Sequence, residues 1–150
     1  MRIVSISENK QIERRVAITP EIAKKYLNLG IEVFLCEDYG KHLGFSNLEY
    51  QDLGVKISKD ENEIINIADI IIQLNLPLEE KINNIKENQT LIGILNPYSN
   101  KEKIDNLIKK KINNFSLEFL PRITRAQSMD VLSSQANLAG YKAVIESFAK

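Results

Sequence analysis

At 150 residues the chain has room for one domain with a single core. Its composition, 43% hydrophobic and 27% charged, is that of a soluble globular protein, and 20 basic residues balance 20 acidic ones to a formal net charge of zero. Neutrality argues against a nucleic-acid partner, whose binding rests on neutralising phosphates. No apolar run reaches the ~20 residues of a membrane span, and Met1 to Ile6 lack the apolar stretch of a secretory signal.

In chain order, short β-rich runs alternate with helical patterns, which predicts an α/β fold with a mainly parallel sheet. The first strand is expected at Arg2–Ser5. Thr19-Pro20 then opens a helix, with Thr as cap and Pro in the first turn; Ile22, Ala23, Tyr26 and Leu27 carry helical spacing and Gly30 stops it. A second strand, Glu32–Cys36, holds the lone cysteine, which reads as a small core residue in a reducing compartment. Ser46-Asn47-Leu48-Glu49 spells a capping box for a helix closed by Gly54. Strand candidates follow at Lys56–Ile57, Ile70–Gln73, Thr90–Ile94 and Asn114–Leu117, with helix candidates at Glu61–Ala68, Pro77–Ile85 and Lys101–Lys111. Lys109-Lys110-Lys111 falls in a last helical turn, where cations offset the helix dipole. The final helix, Asp130 to Lys150, repeats Val131, Leu138 and Ile145 every seven residues, with Tyr141 and Phe148 between them. It meets no Gly, Asn or Pro stop signal, so the sequence is expected to continue past Lys150.

Several chemistries have no residues to carry them. The six glycines, at 30, 40, 44, 54, 93 and 140, never show G-x-G spacing, so neither a Rossmann fingerprint nor a Walker loop is present. One histidine and one cysteine do not make a His/Cys metal site. A Ser-His-Asp triad would depend on His42, in the loop Gly40–Gly44, with no nucleophile elbow near it.

The stretch Pro121-Arg122-Ile123-Thr124-Arg125-Ala126-Gln127-Ser128-Met129-Asp130 follows a strand and opens the last helix, where α/β sheets bind ligands. Gln127, Asp130 and Ser133 are spaced by three, which puts them on one face if helical. With Arg122 they offer an amide, a carboxylate, a hydroxyl and a guanidinium, a set able to hold a carboxamide in plane. The same spacing also fits an ordinary helix cap with an Arg–Asp pair.

The run from Pro121 through Val131-Leu132-Ser133-Ser134-Gln135-Ala136-Asn137-Leu138-Ala139-Gly140-Tyr141 closely resembles the signature of NAD(P) transhydrogenase α subunits. In that family an Arg-Gln-Asp loop of this spacing lies over the nicotinamide of NAD(H). The resemblance implies that Arg122, Gln127, Asp130 and Ser133 contact this cofactor, with Gln127 and Asp130 serving hydride transfer. It covers essentially the whole chain, from Glu13-Arg14-Arg15-Val16-Ala17-Ile18-Thr19-Pro20 onward, a segment shared with alanine dehydrogenases, where the arginine matching Arg15 grips the substrate carboxylate. The dehydrogenases' lysine and catalytic histidine are replaced here by Asn75 and Asn96. Asparagine gives neither a cationic clamp nor a proton acceptor near neutral pH.

The resemblance therefore implies a flavodoxin-like three-layer sandwich, the N-terminal domain (residues 1–150) of the α subunit, with a Rossmann domain after residue 150. The whole enzyme would move a hydride between NAD(H) and NADP(H), the latter on a partner subunit or domain, coupled to proton translocation. Its implied partners are the rest of the α subunit, the membrane-embedded and NADP(H)-binding components, and a second copy in a homodimer. Its implied place is the cytoplasmic face of the bacterial inner membrane, as a peripheral domain. Two alternatives stay open: an alanine- or saccharopine-dehydrogenase-like oxidoreductase, and a non-catalytic stand-alone domain.

Overall fold

Ile3, Val4 and Ser5 are consecutive in the first strand, and all are at most 3% exposed, so both faces of that strand are covered. Such strands belong to parallel sheets with helices on both sides. The computed structural model, which describes residues 1–149, shows this arrangement. Six strands, β1 (Arg2–Ser5), β2 (Glu32–Cys36), β3 (Lys56–Ser58), β4 (Ile70–Asn75), β5 (Thr90–Ile94) and β6 (Asn113–Ser116), pair in the order β3-β2-β1-β4-β5-β6. Every pairing is parallel. The chain thus builds outward from β1 to β3, crosses back, and builds outward again from β4. The order reverses between β1 and β4, and in such sheets the crevice beyond that point is where ligands bind.

Helices α1 (Pro20–Asn28), α2 (Asn47–Leu53), α3 (Glu61–Ile67), α4 (Glu79–Ile82) and α5 (Lys101–Lys109) lie between the strands, and α6 (Val131–Phe148) follows the last of them. Thr19 caps α1, its Oγ1 accepting the Ile22 amide, and Pro20 fills the first turn as expected. Only half of the expected capping box forms at α2: Ser46 Oγ accepts the Glu49 amide at 3.1 Å. The helix expected over Pro77–Ile85 shrinks to Glu79–Ile82. Leu78 is extended there (ψ 152°) and offers no side-chain cap, while Ile82 and Ile85 still reach the core. Of the lysine run, Lys109 ends α5, Lys110 Nζ donates to the Ile82 and Asn83 carbonyls, and Lys111 pairs with Glu87.

The core joins side chains of the strands to those of the helices, including Leu35, Ile64, Ile71, Leu91 and Leu107. Each such fully buried aliphatic side chain contributes roughly 1.5–3 kcal/mol. Cys36 lies buried among them, and burial pushes its thiol up to about 11, which makes it a core residue rather than a nucleophile. At the reversal point, β1 and β4 pair only at Ile3–Ile70 and Val4–Ile71. Beyond that, the buried Gln73 side chain takes over from the ladder: its Oε1 accepts the Ile6 amide at 2.9 Å and its Nε2 donates to the Ile6 carbonyl at 3.3 Å. On the far side, β5 comes so close that a Cβ on Gly93 would lie 2.5 Å from the Gln73 carbonyl oxygen, so only glycine fits.

Candidate functional site

The two strands diverging at the reversal point leave a pocket of about 690 Å3, lined among others by Ser7, Glu8, Glu61, Gln73, Asn75 and Lys81. In a dinucleotide-binding sheet this crevice would offer free backbone amides to a phosphate. Here Glu8 Oε1 accepts the Leu74 amide at 2.6 Å and lies 3.3 Å from Gln73 Nε2 and 3.4 Å from the Asn75 amide. Burial pushes the Glu8 carboxyl above its ordinary value, and the two amides oppose that shift without cancelling it. The protein's own carboxylate therefore takes the amides an incoming anion would need.

The irregular segment between β1 and α1 is pinned by side chains rather than by a ladder. Tyr39 Oη accepts the Ala17 and Ile18 amides at 3.0 and 3.2 Å. Its own proton goes to Ser5 Oγ at 2.7 Å, because the Ser5 hydroxyl donates to Gln73 Oε1. Tyr50 Oη donates to the Ile18 carbonyl, and His42 donates from Nε2 to the Arg14 carbonyl at 2.7 Å.

Arg15 stands on this fixed segment. Its Nε and Nη2 donate to the two carboxylate oxygens of Glu13 at 2.9 and 2.7 Å, a two-pronged pair. Glu13 is only 9% exposed, and the Arg15 hydrogen bonds and charge hold its carboxyl below the ordinary value despite burial. The remaining prong, Nη1, donates to Gln135 Oε1 on α6 at 2.6 Å. The fork that would grip a substrate carboxylate is therefore engaged within the chain. Asn75 ends β4, and Asn96 follows β5 in a left-handed conformation (φ 47°) that asparagine tolerates. The Asn96 amide donates to Glu118.

The structure brings the four expected cofactor residues together. Arg122, Gln127, Asp130 and Ser133, with Ile123 and Thr124, line one open pocket of about 290 Å3. They do not reach it along one helical face. Thr124–Met129 is a 3-10 turn anchored by the buried Ala126, Asp130 is non-helical (φ −74°, ψ 89°), and α6 begins only at Val131. The bend at Asp130 turns Gln127 and Ser133 toward each other.

Asp130 caps α6: its Oδ1 accepts the Ser133 amide at 3.0 Å and its Oδ2 the Ser133 hydroxyl at 2.6 Å. Those bonds to Ser133 hold its carboxyl below the ordinary value, with the Arg122 charge a lesser contribution. The alternative of an Arg122–Asp130 ion pair is not what forms, since capping aims the carboxylate into the helix. Around the pocket stand an amide, a carboxylate, hydroxyls and a guanidinium, which together match both the donor and the acceptor of a carboxamide.

Beyond its first turns α6 has no buried residue, and its apolar side chains face outward, with Tyr141 70% and Phe148 87% exposed. The end of the expected helix, Lys150, lies outside the described residues. Among the described residues no helix is long and apolar enough to cross a membrane.

Sequence reasoning missed Glu8, Glu13 and Gln135. Glu13 had a signal, since it stands two residues before Arg15 in a shared segment; the contacts of Glu8 and Gln135, 66 and 120 residues away, left none.

The family model described as alanine dehydrogenase/PNT, N-terminal domain, matches residues 5–139. An NAD(P) transhydrogenase subunit alpha polypeptide of Rickettsia prowazekii is 43% identical over 97% of this chain and 39% of its own length. Alanine dehydrogenase 1 of Staphylococcus aureus is 30% identical over 97% of the chain and 38% of its own length. Among solved structures, transhydrogenase from Sinorhizobium meliloti superposes with a TM-score of 0.88 at 39% identity, covering 96% of this chain and 43% of that one. The chain spans about two fifths of the length of these curated relatives.

Proposed function

Because the chain belongs to the alanine dehydrogenase/PNT N-terminal domain family, we propose that it serves as the first domain of the NAD(H)-binding component of a proton-translocating NAD(P) transhydrogenase. The observation that carries this reading is the convergence of Arg122, Gln127, Asp130 and Ser133 on one open pocket. The greater identity to transhydrogenase than to alanine dehydrogenase, 43% against 30%, points the same way.

In this reading the nicotinamide supplies the hydride, which passes directly to the nicotinamide of NADP(H) held on a partner. No general acid or base is needed, so the chain contributes placement and electrostatics. Gln127 and Asp130 orient the carboxamide end of the ring. Ser133 holds the Asp130 carboxylate, and Arg122 adds positive charge at the rim. The pyrophosphate and adenine fall to a Rossmann domain after residue 150, in keeping with Glu8 filling this domain's own phosphate crevice. The outward apolar side chains of α6 supply a surface for the rest of the α subunit. The assembled enzyme, with its membrane-embedded components and as a homodimer, would hold this domain at the cytoplasmic face of the bacterial inner membrane.

An alanine-dehydrogenase role is disfavoured by specific contacts: Arg15 is occupied by Glu13, and Asn75 and Asn96 replace the cation and the base. The deciding experiment assembles the complete α subunit with its partner components. Hydride transfer from NADH to an NADP+ analogue is expected, without NAD+-dependent formation of pyruvate from alanine. Pyruvate formation without transhydrogenation would reverse the assignment, and neither activity would leave the non-catalytic reading.

A further inference from the structure

The pocket that holds Asp130 and Ser133 is built on the start of a helix that contributes no buried side chain. Hydrophobic packing therefore does little to set the direction of α6. A long-range polar contact reaches it instead. Arg15 Nη1 donates to Gln135 Oε1 at 2.6 Å, across 120 residues of sequence. Gln135 lies two residues beyond Ser133, in the same opening turns of α6.

The other end of this contact is held by the fold. The buried Glu13 holds two nitrogens of the Arg15 guanidinium, leaving Nη1 as the one that points to α6. Tyr39 fixes the Ala17 and Ile18 amides, and His42 fixes the Arg14 carbonyl. A path of hydrogen bonds thus runs from the sheet through Glu13 and Arg15 to the first turns of α6. Arginine suits the task because its planar fork is pre-organised, so engaging two prongs aims the third.

We propose that Arg15 and Gln135 form a positioning pair that sets the angle at which Asp130 and Ser133 face the nicotinamide. This rests on the assignment of that pocket to the nicotinamide. An arginine that grips substrate in relatives with amino-acid chemistry is, in this chain, turned inward to hold the hydride-transfer loop. Without the contact, α6 samples a wider range of directions and a smaller fraction of molecules presents the loop correctly. A single hydrogen bond shifts such a population by about fivefold.

The test uses the complete α subunit assembled with its partner components. Gln135 is exposed, so replacing it does not endanger folding. Gln135→Leu removes the acceptor at similar size, and Gln135→Glu keeps an acceptor and adds a charge that Arg15 favours. The expected result is a single-turnover hydride-transfer rate about fivefold lower in Gln135→Leu and recovered in Gln135→Glu, with the NADH Kd changed less than about twofold in both. Amide exchange at Ser133 is expected to quicken in the leucine variant alone. Asp130→Asn serves as the reference. If it slows transfer while Gln135→Leu does not, the positioning pair is wrong and the pocket assignment stands. If the glutamate variant is as slow as the leucine one, the contact is not the cause and the proposal falls. If neither Asp130→Asn nor Gln135→Leu changes the rate, the pocket assignment fails and takes the positioning pair with it.

Discussion

Glu8 sets its carboxylate 2.6 Å from the Leu74 amide, across the mouth of the crevice where β1 and β4 part. An anion of the protein itself thus occupies the position from which sheets of this strand order recruit phosphates. Burial raises the Glu8 carboxyl, so the folded chain holds that proton more tightly than the unfolded chain does. Its contribution to stability is complete below the ordinary glutamate value of 4.5 and is lost as the pH rises through the raised value. Glu8→Gln keeps an acceptor for the Leu74 amide and cannot ionise. Its melting temperature relative to the parent chain is expected to climb from about pH 4 to about pH 7.5. A constant difference over that range would show that the carboxylate is as well solvated folded as unfolded.

Weak dinucleotide binding by the 150-residue chain follows from the same crevice. Without a glycine-rich loop, and with Glu8 on the amides, little is left to hold a pyrophosphate, which carries much of dinucleotide affinity. Calorimetric titration with NADH is expected to give weak or no heat. A Kd at or below about 1 µM for this chain by itself would show that the pocket at Asp130 suffices for binding.

Restoring Lys at Asn75 and His at Asn96 is not expected to create alanine oxidation in the full-length protein. Both positions lie at carboxyl ends of neighbouring strands, yet the third member of such a site, Arg15, is held by Glu13 and Gln135. A catalytic group needs neighbours that fix it, and these neighbours now serve another arrangement. Clear pyruvate formation by Asn75→Lys/Asn96→His would mean that Arg15 leaves Glu13 readily when a carboxylate arrives.

Local signals told most of the fold. β1, β2 and β5 fall where β-rich runs stand between breakers, and Thr19, Ser46 and Asp130 cap the helices they precede. The errors lie where local and long-range demands compete. At Pro77–Ile85 the apolar spacing suggested two turns, but Ile82 and Ile85 are buried from a single turn and the bend after it. Gln127, Asp130 and Ser133 were legible as a site through the family signature, and their spacing by three pointed to a helix face that the bend at Asp130 replaces. The contacts of Glu8 and of Arg15 with Gln135 join residues far apart in sequence, and periodicity carries no trace of such pairs.

Gln127 and Asp130 provide the direct test of the pocket, in the full α subunit with its partner components. Asp130→Asn is well suited to it, because asparagine caps a helix about as well as aspartate and so keeps the Ser133 contact while removing the charge. Gln127→Asn keeps the amide and withdraws it by one methylene. If these groups orient the nicotinamide, both changes slow hydride transfer more than they weaken NADH binding, since small misplacements of reacting atoms cost up to ~100-fold in rate. Affinity survives better because most contacts with the dinucleotide are assigned to the Rossmann domain. Stopped-flow transfer to a nucleotide analogue, measured beside equilibrium NADH titration, separates the two quantities. Unchanged single-turnover rates in both variants would reduce Asp130 to the cap of α6 and leave the pocket without a role in the reaction.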